Sequence, residues 1–229
     1  MNINSFHLKV IACLSMLADH VCYLFFPKLI ILRIAGRLAF PIFAFLAVEG
    51  YRHTKNIKKY LFRIFIFFVI SQPIYQYTFN PRIEKLNIFA DLFFGLLALY
   101  LYDHIANKKD ALAVVFMVAI FCNYIGLGFG FFGILLIFSF YLFDIKKDFY
   151  KLFFIQLILL VLFIGQMKFA YSSINIALPI IWFAIQFGYL IPLCLLKYYN
   201  GQRGYYSKYI FYTFYPLHIF VLGLIAHSI

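Results

Sequence analysis

The sequence predicts an all-α, polytopic membrane bundle of about nine transmembrane helices, and three observations predict it. Of the 229 residues, 66% are hydrophobic and 12% are charged, against roughly 45–50% apolar and 25% charged in a soluble domain. Apolar stretches of about 20 residues, each long enough to cross a hydrocarbon core of ~30 Å, recur from end to end. The polar connections between them are short and collect the Lys and Arg residues, which leaves one domain over 1–229 and no room for a soluble one.

Apolar runs bounded by charges or turn residues place the spans at about 8–26, 31–50, 58–79, 86–102, 111–123, 127–143, 149–166, 174–195 and 208–228. The first has an apolar run like a signal peptide, yet Asp19 and His20 follow that run and no small-residue cleavage site appears, so it is expected to be retained. The second contains Arg37 and ends before Arg52; the third opens at Lys58 and Lys59; the fourth follows Lys85. The fifth, after Lys108 and Lys109, is short because Gly126, Gly128 and Gly130 blur its boundary with the sixth. The sixth ends before Lys146 and Lys147, the seventh opens near Lys151, the eighth ends before Lys197, and the ninth runs from Lys208.

Positive charge tests this arrangement, because short cytoplasmic loops collect Lys and Arg. With the N-terminus inside, the cytoplasmic set is Lys9, Arg52, Lys55, Lys58, Lys59, Arg63, Lys108, Lys109, Lys146, Lys147, Lys151, Lys197, Arg203 and Lys208, which is 14 of the 20. Lys28, Arg33, Arg37, Arg82, Lys85 and Lys168 fall on or toward the outer side. The net charge of +12 is therefore a topology signal rather than a nucleic-acid footprint, and no nucleic-acid partner is expected. Cys13, Cys22, Cys122 and Cys194 lie in apolar segments without C-x-x-C spacing and read as packing residues. Gly128-x-Gly130-x-x-Gly133 matches a dinucleotide fingerprint only formally, since no strand precedes it. No H-E-x-x-H, metal-ligand spacing, G-x-S-x-G elbow or P-loop is present, and no metal is expected.

An ionisable group at membrane depth costs several kcal/mol unless it is paired or faces water. This chain carries Asp19 and His20 in span one, Arg37 in span two, Asp91 in span four and His218 in span nine. At a helical rise of ~1.5 Å per residue from the cytoplasmic ends, His20, Arg37, Asp91 and His218 come out about 18, 20, 17 and 15 Å deep, in one layer. Asp19 and His20 point about 100° apart and cannot buttress each other, whereas Tyr215 and His218, three apart, share a face. A purely structural reading has Asp19 or Asp91 neutralising Arg37; against it, two histidines suited to proton transfer near neutral pH add little to packing.

The strings Asp19-His20, Gly36-Arg37-Leu38-Ala39-Phe40-Pro41-Ile42-Phe43-Ala44-Phe45 and Glu49-Gly50-Tyr51-Arg52-His53-Thr54 resemble the TraX family. The likeness continues weakly through Ser71-Gln72-Pro73 and Leu86-Asn87-Ile88-Phe89 to Gly95, and returns in Phe211-Tyr212-Thr213-Phe214-Tyr215-Pro216-Leu217-His218. Residues from about 104 to 200 match only as membrane sequence, and Asp91 stands where the family pattern has a small polar residue.

The resemblance implies a transmembrane acyltransferase of a bacterial plasma membrane, with cytoplasmic acetyl-CoA as co-substrate and a pilin-like membrane protein as acceptor; a sugar or lipid headgroup is equally allowed. Acyl transfer needs a base and a donor for the thioester oxyanion. His20 or His218 can be the base, Arg37 can steady negative charge or orient Asp19, and Tyr215 can donate a hydrogen bond. Arg52, His53, Thr54, Lys55, Lys58, Lys59 and Arg63 can hold the coenzyme phosphates, or can reflect topology alone. A proton-coupled transporter using the same Asp, His and Arg groups is the alternative, and a non-enzymatic assembly factor a third reading.

Overall fold

A computed structural model describes residues 2–79, 85–170, 185–205 and 208–228, excepting the side chains of 167–170 and Lys208. Among these residues the structure is helical, with only two isolated bridges, Ile3–Tyr199 and Leu86–Leu127, of strand type. The helices are α1 (Ser5–Phe25), α2 (Ile30–Gly36), α3 (Ala39–His53), α4 (Ile57–Phe79), α5 (Ile88–His104), α6 (Lys108–Tyr124), α7 (Gly130–Leu142), α8 (Phe149–Ala170), α9 (Ile191–Leu196) and α10 (Lys208–Ser228). The boundaries of α1, α4 to α8 and α10 lie close to expected spans. The start of the expected span 174–195, together with Arg82 and the Lys168 side chain, lies outside the described residues.

Span two differs from expectation. Instead of one helix over 31–50, the chain turns at Arg37–Leu38, where Arg37 N–H bonds Ile34 O and Leu38 N–H bonds Ala35 O before α3 continues. Taken through this turn, Ile30–His53 is one of four segments long and apolar enough to cross a membrane, with Ser5–Phe25, Phe149–Gln166 and Tyr209–Ser228; Gly130–Leu142 and Ile185–Leu196 are shorter apolar helices. Exposed Phe154, Ile158 and Leu162 on α8 and Ile210, Leu217 and Leu224 on α10 suit contact with lipid tails.

The chain divides into two compact units, Met1–Phe43 with Phe143–Ser207, and Ala44–Leu142 with Lys208–Ile229. In the first, α1 begins with a reciprocal cap: Asn4 Oδ1 accepts from His7 N–H, and His7 Nδ1 accepts from Asn4 N–H. The same end is tied to the 198–202 turn by Ile3, Ser5 and Asn200 backbone bonds and by the Ser5–Tyr199 hydroxyl contact at 2.9 Å. Leu8, Ala12, Ser15, Met16 and Cys22 form its buried stripe at helical spacing.

The second unit packs around α5, whose Ala90, Asp91, Leu96, Ala98 and Leu99 are fully buried. Helix α7 approaches α5 at Gly95, where a Cβ would meet Ile137. Helix α4 meets α10 through Thr78, whose hydroxyl donates to Ile219 O at 3.0 Å beside Gly223. The α4–α5 connection is fixed by Gln72, which accepts from both nitrogens of Asn87 at 2.9 Å and donates to Lys85 O at 3.0 Å. Asn87 in turn caps α5 at Phe89 N–H. The Ser71-Gln72-Pro73 and Leu86-Asn87 strings are thus halves of one joint.

Candidate functional site

In the first unit the polar residues meet at the end of α1. Asp19 projects toward the α2–α3 turn, where its Oδ1 takes Arg33 Nη1 at 3.1 Å and its Oδ2 takes Arg37 Nη1 at 3.6 Å. Gly36 permits this approach, because a Cβ there would strike the Asp19 side chain. Gly188 does the same for Arg37: a Cβ there would lie 2.8 Å from Ile34 O and 2.9 Å from Arg37 Cβ. The Arg37 guanidinium lies 5.5 Å from the centre of the buried Tyr189 ring, and that of Arg33 lies 5.6 Å from Tyr23. His20, the next residue on α1, is half-buried.

One carboxylate thus serves two guanidiniums in a largely dehydrated setting. Charge-assisted bonds are strong there, and the loss of one partner is costly. Sequence reading paired Asp19 with Arg37 but assigned Arg33 to topology. The missed signal was its position four residues before Arg37, one helical turn along the same face. Gly36→Ala should lower the thermal midpoint measured in detergent, by an amount equivalent to about 1–3 kcal/mol of overpacking. An unchanged midpoint would mean that Asp19 does not occupy that space.

In the second unit Tyr215 and His218 stand together on α10, their ring centroids 5.8 Å apart. Tyr215 is buried edge-on against Phe89 at 5.2 Å, and the His218 ring stacks on Phe214 at 4.6 Å. His218 Nδ1 lies 2.7 Å from Phe214 O. A carbonyl can only accept, so Nδ1 carries a proton, and the neutral form of the ring has its lone pair on Nε2. His53 with Glu49 O and His104 with Tyr100 O repeat this bond at exposed sites, and His104 also lies beside a phenol, so burial is what sets His218 apart.

Asp91, fully buried on α5, accepts the Phe129 N–H at 3.1 Å through Oδ1, at the entrance to α7. Its Oδ2 is buried without a hydrogen-bond partner. The carboxylate therefore anchors the glycine turn that blurred the fifth and sixth spans, in which Gly126 and Gly130 have φ of 80° and 52°.

The basic residues expected to hold phosphates divide into two groups. Lys55, Lys58 and Lys59 are exposed around the α3–α4 connection. Arg52 is engaged by Phe140 O, Tyr141 O and Glu49, His53 by Glu49 O, and Thr54 by Asn56 O. Arg63 is wedged between the Tyr60 and Tyr212 rings at 5.2 and 5.5 Å. Sequence reading missed Asp103, which receives the Tyr51 hydroxyl at 2.6 Å on one oxygen and the Tyr141 hydroxyl on the other. No periodic pattern relates positions 51, 103 and 141.

Long apolar helices, each unit burying a small ionisable centre, define a helical membrane protein rather than a soluble enzyme. The chain belongs to the TraX protein family, whose model matches residues 5–226. It is 28% identical over 241 residues to the "Probable fimbrial assembly protein FimC, serogroup H1" of Dichelobacter nodosus, covering 96% of this chain and 94% of that protein. It is also 35% identical over 95 residues to the "Uncharacterized protein RP591" of Rickettsia prowazekii (strain Madrid E), covering 42% and 36% of the two chains. No solved structure matches it.

Proposed function

We propose that this protein is a multi-pass acetyltransferase of the bacterial inner membrane, with nine spans and its N-terminus inside. It moves an acetyl group from cytoplasmic acetyl-CoA to an amine or hydroxyl, foremost the N-terminus of a membrane-inserted pilin-like subunit. Family membership over nearly the whole chain and the fimbrial role in the name of the Dichelobacter nodosus protein support the acceptor class. The observation that carries the chemistry is His218, buried beside Tyr215 with Nδ1 bonded to Phe214 O, which puts the lone pair of the neutral ring on Nε2.

In this mechanism the acceptor nitrogen attacks the thioester carbonyl carbon as His218 Nε2 takes the nitrogen's proton. The C–N bond forms and the carbonyl electrons move onto oxygen, which the Tyr215 hydroxyl can steady. Collapse of that intermediate breaks the C–S bond, and the imidazolium returns its proton to the departing thiolate. No acyl-enzyme is needed. If His20 is the base instead, its orienting partner comes from another element, because Asp19 points about 100° away from it on the same helix.

The exposed Lys55, Lys58 and Lys59 are the part of the basic loop available to coenzyme phosphates, with Arg52, His53, Thr54 and Arg63 as its framework. Acetyl-CoA at 100 times its dissociation constant should stabilise the purified protein by about 2.7 kcal/mol. Replacing the three lysines with glutamine should remove most of that shift. No shift in the wild type would favour the proton-coupled carrier, for which the unpartnered oxygen of buried Asp91 is the supporting feature.

A further inference from the structure

The first unit holds a surplus of positive charge that acetyl transfer does not require. Arg33 and Arg37 share the single carboxylate of Asp19, and no other described carboxylate is within ion-pair distance of either. Their side chains are 24% and 15% exposed, and Arg37 Nε is buried without a hydrogen-bond partner. Lys28, exposed on the turn between α1 and α2, adds a further cation. An uncompensated guanidinium in a medium of low dielectric strongly favours an anion.

The surface around these cations is apolar and outward-facing. Tyr23, Phe26, Leu29, Ile30 and Ile31 are all exposed, Ile31 to 81%. Arg33 lies against the Tyr23 ring. A basic fork bordered by exposed aliphatic side chains is complementary to a molecule with a phosphate at one end and acyl chains at the other. A soluble phosphate would gain nothing from Phe26, Leu29 or Ile31.

We propose that the α1–α2 corner binds the phosphate of an anionic membrane phospholipid, with Arg33 as the principal ligand, Lys28 and Arg37 as supporting charges, and Ile31 and Phe26 against the acyl chains. The site shares Arg37 with the acetyltransferase reading, but its principal ligand Arg33 has no part in that chemistry, so it would persist if that reading failed.

The test is the thermal midpoint of the full chain in mixed micelles containing phosphatidylglycerol or phosphatidylcholine, or with inorganic phosphate added to the latter. Phosphatidylglycerol should raise the wild-type midpoint by several degrees over phosphatidylcholine. Arg33→Gln should abolish that difference, and Arg33→Lys should keep part of it because charge survives without the fork. Lys28→Gln, at an exposed position, should reduce the difference without altering the midpoint in phosphatidylcholine, and it serves if Arg33→Gln does not fold. Equal midpoints for the two lipids in the wild type, a difference untouched by any of these variants, or an equal rise with inorganic phosphate would each overturn the assignment.

Discussion

Asp19→Ala should be the most destabilising single substitution at the polar centre of the first unit. It leaves Arg33 and Arg37, now 3.1 and 3.6 Å from one carboxylate, facing each other with their common partner gone. Breaking a buried pair by removing one member costs ~3–5 kcal/mol; the partial exposure of these side chains places the expected loss at the lower end, about 3 kcal/mol. Thermal unfolding in detergent reads it directly. The double variant Asp19→Asn with Arg33→Gln should lose less than the two single losses combined, because the surplus cation leaves with the anion. Simple additivity would show that Arg33 is not coupled to Asp19.

The second large effect concerns activity. His218→Ala should lower the rate of acetyl transfer by about 10²–10⁴-fold, the usual contribution of a positioned general base, while the protein stays folded. Tyr215→Phe keeps the ring packed on Phe89 and removes only the hydroxyl, so its loss should be smaller and fall on turnover rather than on acetyl-CoA binding. A full rate in His218→Ala together with a lost rate in His20→Ala would move the base to α1, beside Asp19.

Much of the helical layout was legible in the sequence because length and hydropathy decide it in lipid. Residues Phe149 and Lys208 begin helices where the charge boundaries place them. The turn at Arg37–Leu38 was not legible, for its flanks are apolar at span length, and the close approach of Asp19 to Gly36 beside it joins residues on separate helices. The pairing of Tyr215 with His218 could be read from three-residue spacing alone. By contrast the Asn87–Gln72 joint and the Tyr51–Asp103–Tyr141 clamp join distant positions whose relation only folding reveals. Asp91 was read by depth as part of a polar layer, whereas its observed bond is to the backbone at the start of α7, a contact that helix periodicity cannot anticipate.

The central proposal is that this TraX-family chain itself transfers acetyl groups. It is tested most directly by incubating the purified protein in nanodiscs with acetyl-CoA carrying a labelled acetyl group and a membrane-inserted pilin-like peptide with a free N-terminus. The expected result is label on the peptide's terminal amine, with release of coenzyme A in equal amount and loss of both in folded His218→Ala or His20→Ala. Label that never leaves acetyl-CoA, from folded protein offered amine, sugar and lipid acceptors in turn, would contradict it.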